Sequence, residues 1–332
     1  MTFSTQNAAP RSETACSPLV AISIYNRLMM SDAPRPLSTS RDAEAVPGQP
    51  LIAFKGVHIG FDEGDVLRGI SFEVWPGETK VLLGESGAGK TLIMKLADGL
   101  IRPTAGQISV MGRNVGEMPE RELLDFRRRI GFVFQEGALF DSMTVAENVS
   151  FRLREENVEE PEIEARVREA LRFVDLEDAV AKFPAELSGG MRRRVSIARA
   201  LVDRPPLVFY DSPTAGLDPI TSQTIITLIL RGRDAQGVTS LLATQRVQDA
   251  FGLANFRLDP KTGRVIALGN HYGNDDGARA VGNPLASPEL SVARPPTNIL
   301  VLRNGQIYFE GAADELLQTS DAYLKKFLAS AE

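Results

Sequence analysis

The sequence predicts an α/β domain built around a largely parallel core sheet, and three observations carry this. Short buried-strand patterns (TKVLL, IGFVF, LVFY, SLLAT) alternate with helical ones, as in strand–helix–strand units. TKVLL runs directly into GESGAGKT and then into a helical pattern through Leu92, Met94, Lys95 and Leu96. LVFY ends on Asp211, well downstream of that loop.

Residues 1 to about 49 are rich in Ser, Thr, Pro and Ala without sustained periodicity, so they are expected to form a disordered tail. Met29 and Met30 lie within it, and one hypothesis is that translation begins there. Order is expected from about residue 50, opening with LIAFKGVHIGF, whose alternation suits an edge strand. ISFEV, Trp75-Pro-Gly and TKVLL suggest two strands joined by a turn. PERELLDFRRR reads as a helix, and PEIEARVREALRFVDL places Ile163, Val167, Leu171 and Val174 on one helical face. DPKTG between FRL and RVIAL suggests a small hairpin. From about 259 to 296 the periodicity dissolves, as expected of an inserted loop. Asn304-Gly305 between alternating strands signals a type I′ hairpin, and DAYLKKFLAS a final, weakly amphipathic helix.

Composition sets limits. The chain has 332 residues and a net charge of −6, which gives no reason to expect general nucleic-acid affinity. Its single cysteine, Cys16, excludes an intramolecular disulfide and suits a reducing compartment. No run approaches the roughly 20 apolar residues that cross a bilayer. The apolar stretch PLVAISIYNRLMM is broken by Asn26 and Arg27, and no small-residue cleavage site follows it. A soluble, cytoplasmic chain is expected.

Gly84-x-x-x-x-Gly89-Lys90-Thr91 is a P-loop pattern in its required setting of strand, loop and helix. Its glycines let the backbone N–H groups of Gly84, Glu85, Ser86, Gly87, Ala88 and Gly89 turn toward phosphate oxygens, helped by the positive end of the helix. Lys90 is placed to reach the β- and γ-phosphates, and the Thr91 hydroxyl to ligate magnesium. Asp211 is the second magnesium-directed group; alone, an Asp after an apolar run would read as a cap or turn. Leu187-Ser188-Gly189-Gly190-Met191 opens a helix bearing Arg192 to Arg194. Alone it would be equally well a capped helix behind a Gly-rich turn.

Taken with AGLDP (residues 215–219), these motifs resemble those of the ABC transporter ATPases over about 51–258 and 297–332. The resemblance implies a P-loop NTPase fold with an antiparallel β subdomain and a helical subdomain at about 136–205. It also implies ATP and Mg²⁺ as ligands. By position, Phe61 matches an adenine-stacking aromatic, although a core Phe fits it nearly as well. Gln135 matches a glutamine that touches magnesium and lies near the membrane subunit. Ser188, Gly189 and Gly190 match the signature that closes on the opposite subunit's nucleotide, and Asp218 the aspartate linking the two sites. ATP is then sandwiched in a head-to-tail dimer with a second ABC ATPase subunit. That dimer lies on the inner face of the membrane, bound to a transmembrane permease. LSGGMRRRV and ALFDSMTVAENVSFRLRE are similar to the lipid-trafficking group that works with MCE-type lipid-binding partners, where most ABC ATPases carry Gln at the position of Met191.

Two positions depart from the family pattern. A Glu acting as general base follows the Walker B aspartate in the family, and this chain has Ser212. A His ends the family's switch strand, and here SLLAT is followed by Gln245; the only histidines are His58 and His271. A serine hydroxyl is a poor proton acceptor without its own base, and losing a general base costs about 10²–10⁴-fold in rate. Gln245 can still donate a hydrogen bond to a phosphate oxygen or orient water. Nucleotide binding is therefore expected to survive better than hydrolysis, unless another carboxylate substitutes or a heterodimeric partner supplies a complete site. A regulatory nucleotide-binding subunit with little turnover, and a soluble ABC protein outside transport, are the competing functions.

Overall fold

A computed structural model of the chain describes residues 48–61, 64–259, 262–268 and 296–329. The expected tail up to residue 47, and most of the expected insertion, lie outside the described residues. The elements run in the order β1 (Ile52–Phe61), β2 (Gly64–Val74), β3 (Thr79–Leu83), α1 (Lys90–Ala97), β4 (Ala105–Val110), β5 (Arg113–Asn114), α2 (Glu120–Arg127) and β6 (Ile130–Val133). Three helices follow: α3 (Val145–Glu155), α4 (Glu160–Phe173) and α5 (Gly189–Leu201). Then come β7 (Leu207–Asp211), α6 (Pro219–Gln236), β8 (Thr239–Thr244), α7 (Val247–Ala254), β9 (Phe256–Leu258) and β10 (Val265–Ala267). The described chain closes with β11 (Thr297–Arg303), β12 (Gln306–Gly311), α8 (Ala313–Leu317) and α9 (Ala322–Ala329).

The core sheet has the order β12-β11-β3-β8-β7-β6. Every neighbouring pair is parallel except β11 with β12. The central strands β3, β7 and β8 are buried on both faces, whereas the edge strand β12 is largely exposed, and the alternation of the central strands divides the interior in two. Val81 and Leu83 of β3, Val208 and Tyr210 of β7, and Leu242 of β8 pack toward α3–α7. Leu82, Leu207, Phe209 and Leu241 face the other way, toward β1, β2, β4, α1 and α2. This explains why these strands read as continuous apolar runs rather than as alternating ones.

The second sheet, β2-β1-β4-β5, is antiparallel throughout. Here the edge-strand expectation is wrong: β1 pairs with β2 on one side and with β4 on the other. A sheet with one wet face produces the same alternation in central and edge strands, so periodicity alone does not reveal the neighbours. The turn Trp75-Pro-Gly joins β2 to β3 across two different sheets. It is closed by Glu78 N–H donating to the Trp75 carbonyl (3.0 Å) and by Trp75 N–H donating to the Glu78 carboxylate (2.8 Å).

Local signals place the other elements. Thr144 and Glu147 form a reciprocal capping box at the start of α3. Ile163, Val167 and Leu171 of α4 are buried, as their spacing predicts. β9 and β10 pair antiparallel as the expected small hairpin. Asn304 and Gly305 take the left-handed conformations (φ 50° and 72°) of a type I′ turn.

Candidate nucleotide site

Strand register assembles the site. Leu83, the last residue of β3, pairs with Thr244, the last of β8; Asp211, the last of β7, pairs with Ala243; and Val133, the last of β6, pairs with Tyr210. Gly84, Ser212, Gln245 and the Phe134–Gln135 segment therefore all leave the sheet along one edge, at the carboxyl ends of adjacent parallel strands. Ligands of open α/β sheets bind at such an edge.

Gly84 has no room for a side chain, because a Cβ there would lie 2.7 Å from the Leu302 carbonyl oxygen. Gly89 caps α1 with φ 98°, and a Cβ there would lie 2.5 Å from the Leu67 side chain. With glycine at the cap, no side chain accepts from the first amides of α1. Those N–H groups and the positive helix end are then free to meet an anion. Lys90 is buried, and its ammonium donates to the carbonyls of Gly84 (2.8 Å) and Glu85 (2.7 Å). Burial lowers its pKa, while the carboxylates of Asp211 and Glu85 pull the other way. Glu85, Ser86 and Gly87 are exposed, and Ala88 is half-buried.

The Thr91 hydroxyl donates to Asp211 Oδ2 at 3.0 Å, across 120 residues of sequence. A hydroxyl beside a carboxylate is the hard-oxygen pair that magnesium takes, the remaining positions going to phosphate oxygens and water. The described residues therefore fit Mg²⁺ held by Thr91 and Asp211. Gln135 is exposed on the turn after β6, with no hydrogen bond to either of them among the described residues.

Ser212 is held in a left-handed conformation, φ 49°, unusual for a residue other than Gly or Asn. Its N–H donates to the Ala243 carbonyl (2.8 Å), and its hydroxyl lies 3.4 Å from Asp211 Oδ1. Gln245 is exposed one residue beyond β8. Ser212 and Gln245 thus sit on neighbouring strand ends.

The signature segment lies elsewhere. Ser188 caps α5, accepting from Met191 N–H at 3.2 Å. No hydrogen bond or ion pair among the described residues joins it to the Gly84–Thr91 loop. Gly189 is exposed, whereas Gly190 is buried. Asp218 caps α6, accepting from the Thr221 hydroxyl (2.6 Å) and N–H (2.9 Å). Those two bonds, the hydroxyl's first, hold its carboxyl below the usual range. Phe61 is 56% exposed at the end of β1 and so is not a core residue.

The sequence alone assigned no role to Arg193 or Arg199. Buried Arg193 reaches from α5 to the Phe134 carbonyl (2.7 Å) and the Ala215 carbonyl (3.4 Å), spanning the loops that carry Gln135 and Asp218. Arg199 donates to the carbonyls of Gly137 (3.0 Å) and Ala138 (2.8 Å). The signal available for Arg193 was an arginine on the buried face of an amphipathic helix.

An anion-ready helix start, a loop lysine and a hydroxyl–carboxylate pair, all at the carboxyl edge of a parallel sheet, define a P-loop nucleotide-binding fold. Residues 67–215 match the family model described as ABC transporter. Methionine import ATP-binding protein MetN of Corynebacterium diphtheriae is 36% identical over 225 residues, covering 67% of this chain and 66% of that protein. MetN of Rhizobium johnstonii is 36% identical over 227 residues, covering 68% and 63%. The chain thus covers slightly less than two thirds of these relatives' length. Among solved structures, the ATP-binding cassette MJ0796, dimeric in a post-hydrolysis state with ADP and Pi, aligns with TM-score 0.61 at 25% identity, covering 79% of this chain and 98% of that one. CbiO1 of Clostridium perfringens aligns with TM-score 0.64 at 23% identity, covering 83% and 94%. The chain contains an ABC transporter ATP-binding domain with the ABC ATPase fold. No described helix is long and apolar enough to cross a membrane.

Proposed function

We propose that this chain is the ATP-binding, energy-coupling subunit of an ABC transporter. It binds Mg-ATP in a head-to-tail dimer, beside a membrane permease on the inner face of the membrane, and hydrolyses it slowly. The observation that carries this reading is the contact between Thr91 and Asp211 next to Lys90, with Ser212 and Gln245 on the adjoining strand ends. Lys90 and the loop amides of residues 84–89 grip the phosphates, Thr91, Asp211 and Gln135 attend the magnesium, and Phe61 stacks on the base. Ser188, Gly189, Gly190 and Asp218 serve the partner subunit's nucleotide. Magnesium, when bound, draws charge from the β- and γ-phosphates. Ser212 can hydrogen-bond water but cannot hold its proton, and Gln245 can orient a phosphate oxygen without exchanging one.

The same pair supports a second reading, in which nucleotide closes the dimer to gate a partner with little turnover. Binding energy alone can drive such closure, provided that ATP favours the closed state. Calorimetry with Mg-ATP, together with the mass of the protein in solution, tests the shared core. Binding with nucleotide-dependent dimerisation, with itself or with a second ATPase subunit, supports it, and absence of binding overturns it.

For cargo, the proposal is lipid, with an MCE-type partner, on the similarity of residues 138–155 and 187–195 to lipid-trafficking ATPases. The relatives' names point instead to methionine import. Reconstitution with the permease decides between them: ATPase activity stimulated by phospholipid supports the lipid reading, and stimulation by methionine replaces it.

A further inference from the structure

Asp249, on α7, is a carboxylate with almost no contact with water, 2% exposed. Its Oδ2 accepts from the Thr214 hydroxyl (2.5 Å) and from the Thr244 hydroxyl (2.7 Å). Arg246 Nε lies 3.8 Å from Oδ1. The same guanidinium donates to the Thr214 carbonyl (3.2 Å) and the Ser222 hydroxyl (2.8 Å), while Arg246 N–H donates to the Thr244 hydroxyl (3.0 Å). Thr214 lies in the loop between Ser212 and Asp218, and Thr244 immediately precedes Gln245. The one carboxylate therefore holds both loops, and Arg246 adds a second tie, through its guanidinium to Thr214 and its N–H to Thr244.

We propose that Asp249, assisted by Arg246, is a positioning residue that locks the Ser212–Asp218 loop to the Thr244–Gln245 strand end, so that Ser212 and Gln245 keep one spacing and move together. The proposal rests on the reading of those two residues as the reacting end of the site. Burial raises the Asp249 pKa and the two threonine hydroxyls oppose that rise. An apolar side chain would avoid the cost of burial, so what the carboxylate adds is the tie between the two loops. Asp249 is not a replacement for the missing base. Its Oδ2 is occupied by two donors, its Oδ1 faces Arg246, and the residue is buried.

The full chain tests this through amide hydrogen exchange and kinetics. In Asp249→Ala, exchange in peptides spanning 212–218 and 244–249 rises together, at least tenfold, while peptide 84–91 and Mg-ATP affinity stay within threefold. In the Ser212→Glu/Gln245→His background, adding Asp249→Ala lowers kcat at least tenfold with KM within threefold. Thr244→Val reproduces the loosening, and Thr244→Ser, which keeps the hydroxyl, does not. Should Asp249→Ala fail to fold, Asp249→Asn with the two Thr244 variants carries the same comparison. Loosening confined to residues 247–254, equal losses in kcat and 1/KM, or Thr244→Ser behaving as Thr244→Val overturns the proposal. A wild type that does not bind Mg-ATP overturns the proposed function instead, and the exchange pattern still judges the lock alone.

Discussion

Two stretches of one sheet edge differ in kind. At the ends of β3 and β7, the groups proposed to grip a phosphate and a cation are held by hydrogen bonds: Lys90 against the loop carbonyls, and Thr91 against Asp211. One residue past β7 and one past β8 stand Ser212 and Gln245, which in the proposed function occupy the places of the groups that handle the water and its proton. On the proposed function, the difference teaches that gripping a nucleotide and cleaving it use separate residues on adjacent strand ends. One set can be lost without disturbing the backbone that holds the other, since Ser212 N–H still bonds the Ala243 carbonyl between β7 and β8.

The most forceful way to break this contrast is to restore the reacting end. Ser212→Glu with Gln245→His is expected to raise kcat by about 10²–10⁴-fold with little change in KM, measured by phosphate release. Breaking the gripping end should do the opposite. Lys90→Ala is expected to weaken Mg-ATP binding about 10- to 100-fold, the scale of a lost charged hydrogen bond, measured by calorimetry.

A subtler probe lies at the far end of the P-loop helix. Burial raises the pKa of Asp98 to about 7, and Arg127 only partly offsets it. A carboxyl with its folded pKa raised stabilises the fold fully below its unfolded value of 3.8 and loses that contribution as pH rises to about 7. Asp98→Asn should therefore gain stability over wild type on going from pH 5 to pH 8, by on the order of 2 kcal/mol. Thermal unfolding at the two pH values checks this, and nucleotide binding should be little altered. The smallest effect is expected at Phe61. Loss of stacking in Phe61→Ala should weaken ATP by about fivefold, near the low end for a base on an aromatic ring, read by competition with a fluorescent nucleotide.

Much of this contrast was legible in the sequence because the P-loop pattern prescribes its own setting: a strand, a glycine-permitted turn and a helix start. Ser212 and Gln245 were equally legible, since strand ends locate them by counting. What escaped were connections whose partners are distant. Arg193 reaches carbonyls 59 and 22 residues away, and Asp249 joins hydroxyls 35 and 5 residues away. Neither pairing leaves a periodic trace. The misjudged strand β1 failed for a related reason, because alternation reports which face is wet and not how many neighbours share the backbone hydrogen bonds.

The central claim is that nucleotide binding is retained where hydrolysis is impaired. Steady-state turnover of the wild-type chain at saturating Mg-ATP, alone and with its permease, tests it most directly. The expected result is turnover well below about 1 per second, the lower end of ordinary enzymes, from protein that calorimetry shows to be saturated with Mg-ATP. Turnover at or above that rate from the homodimer would contradict it.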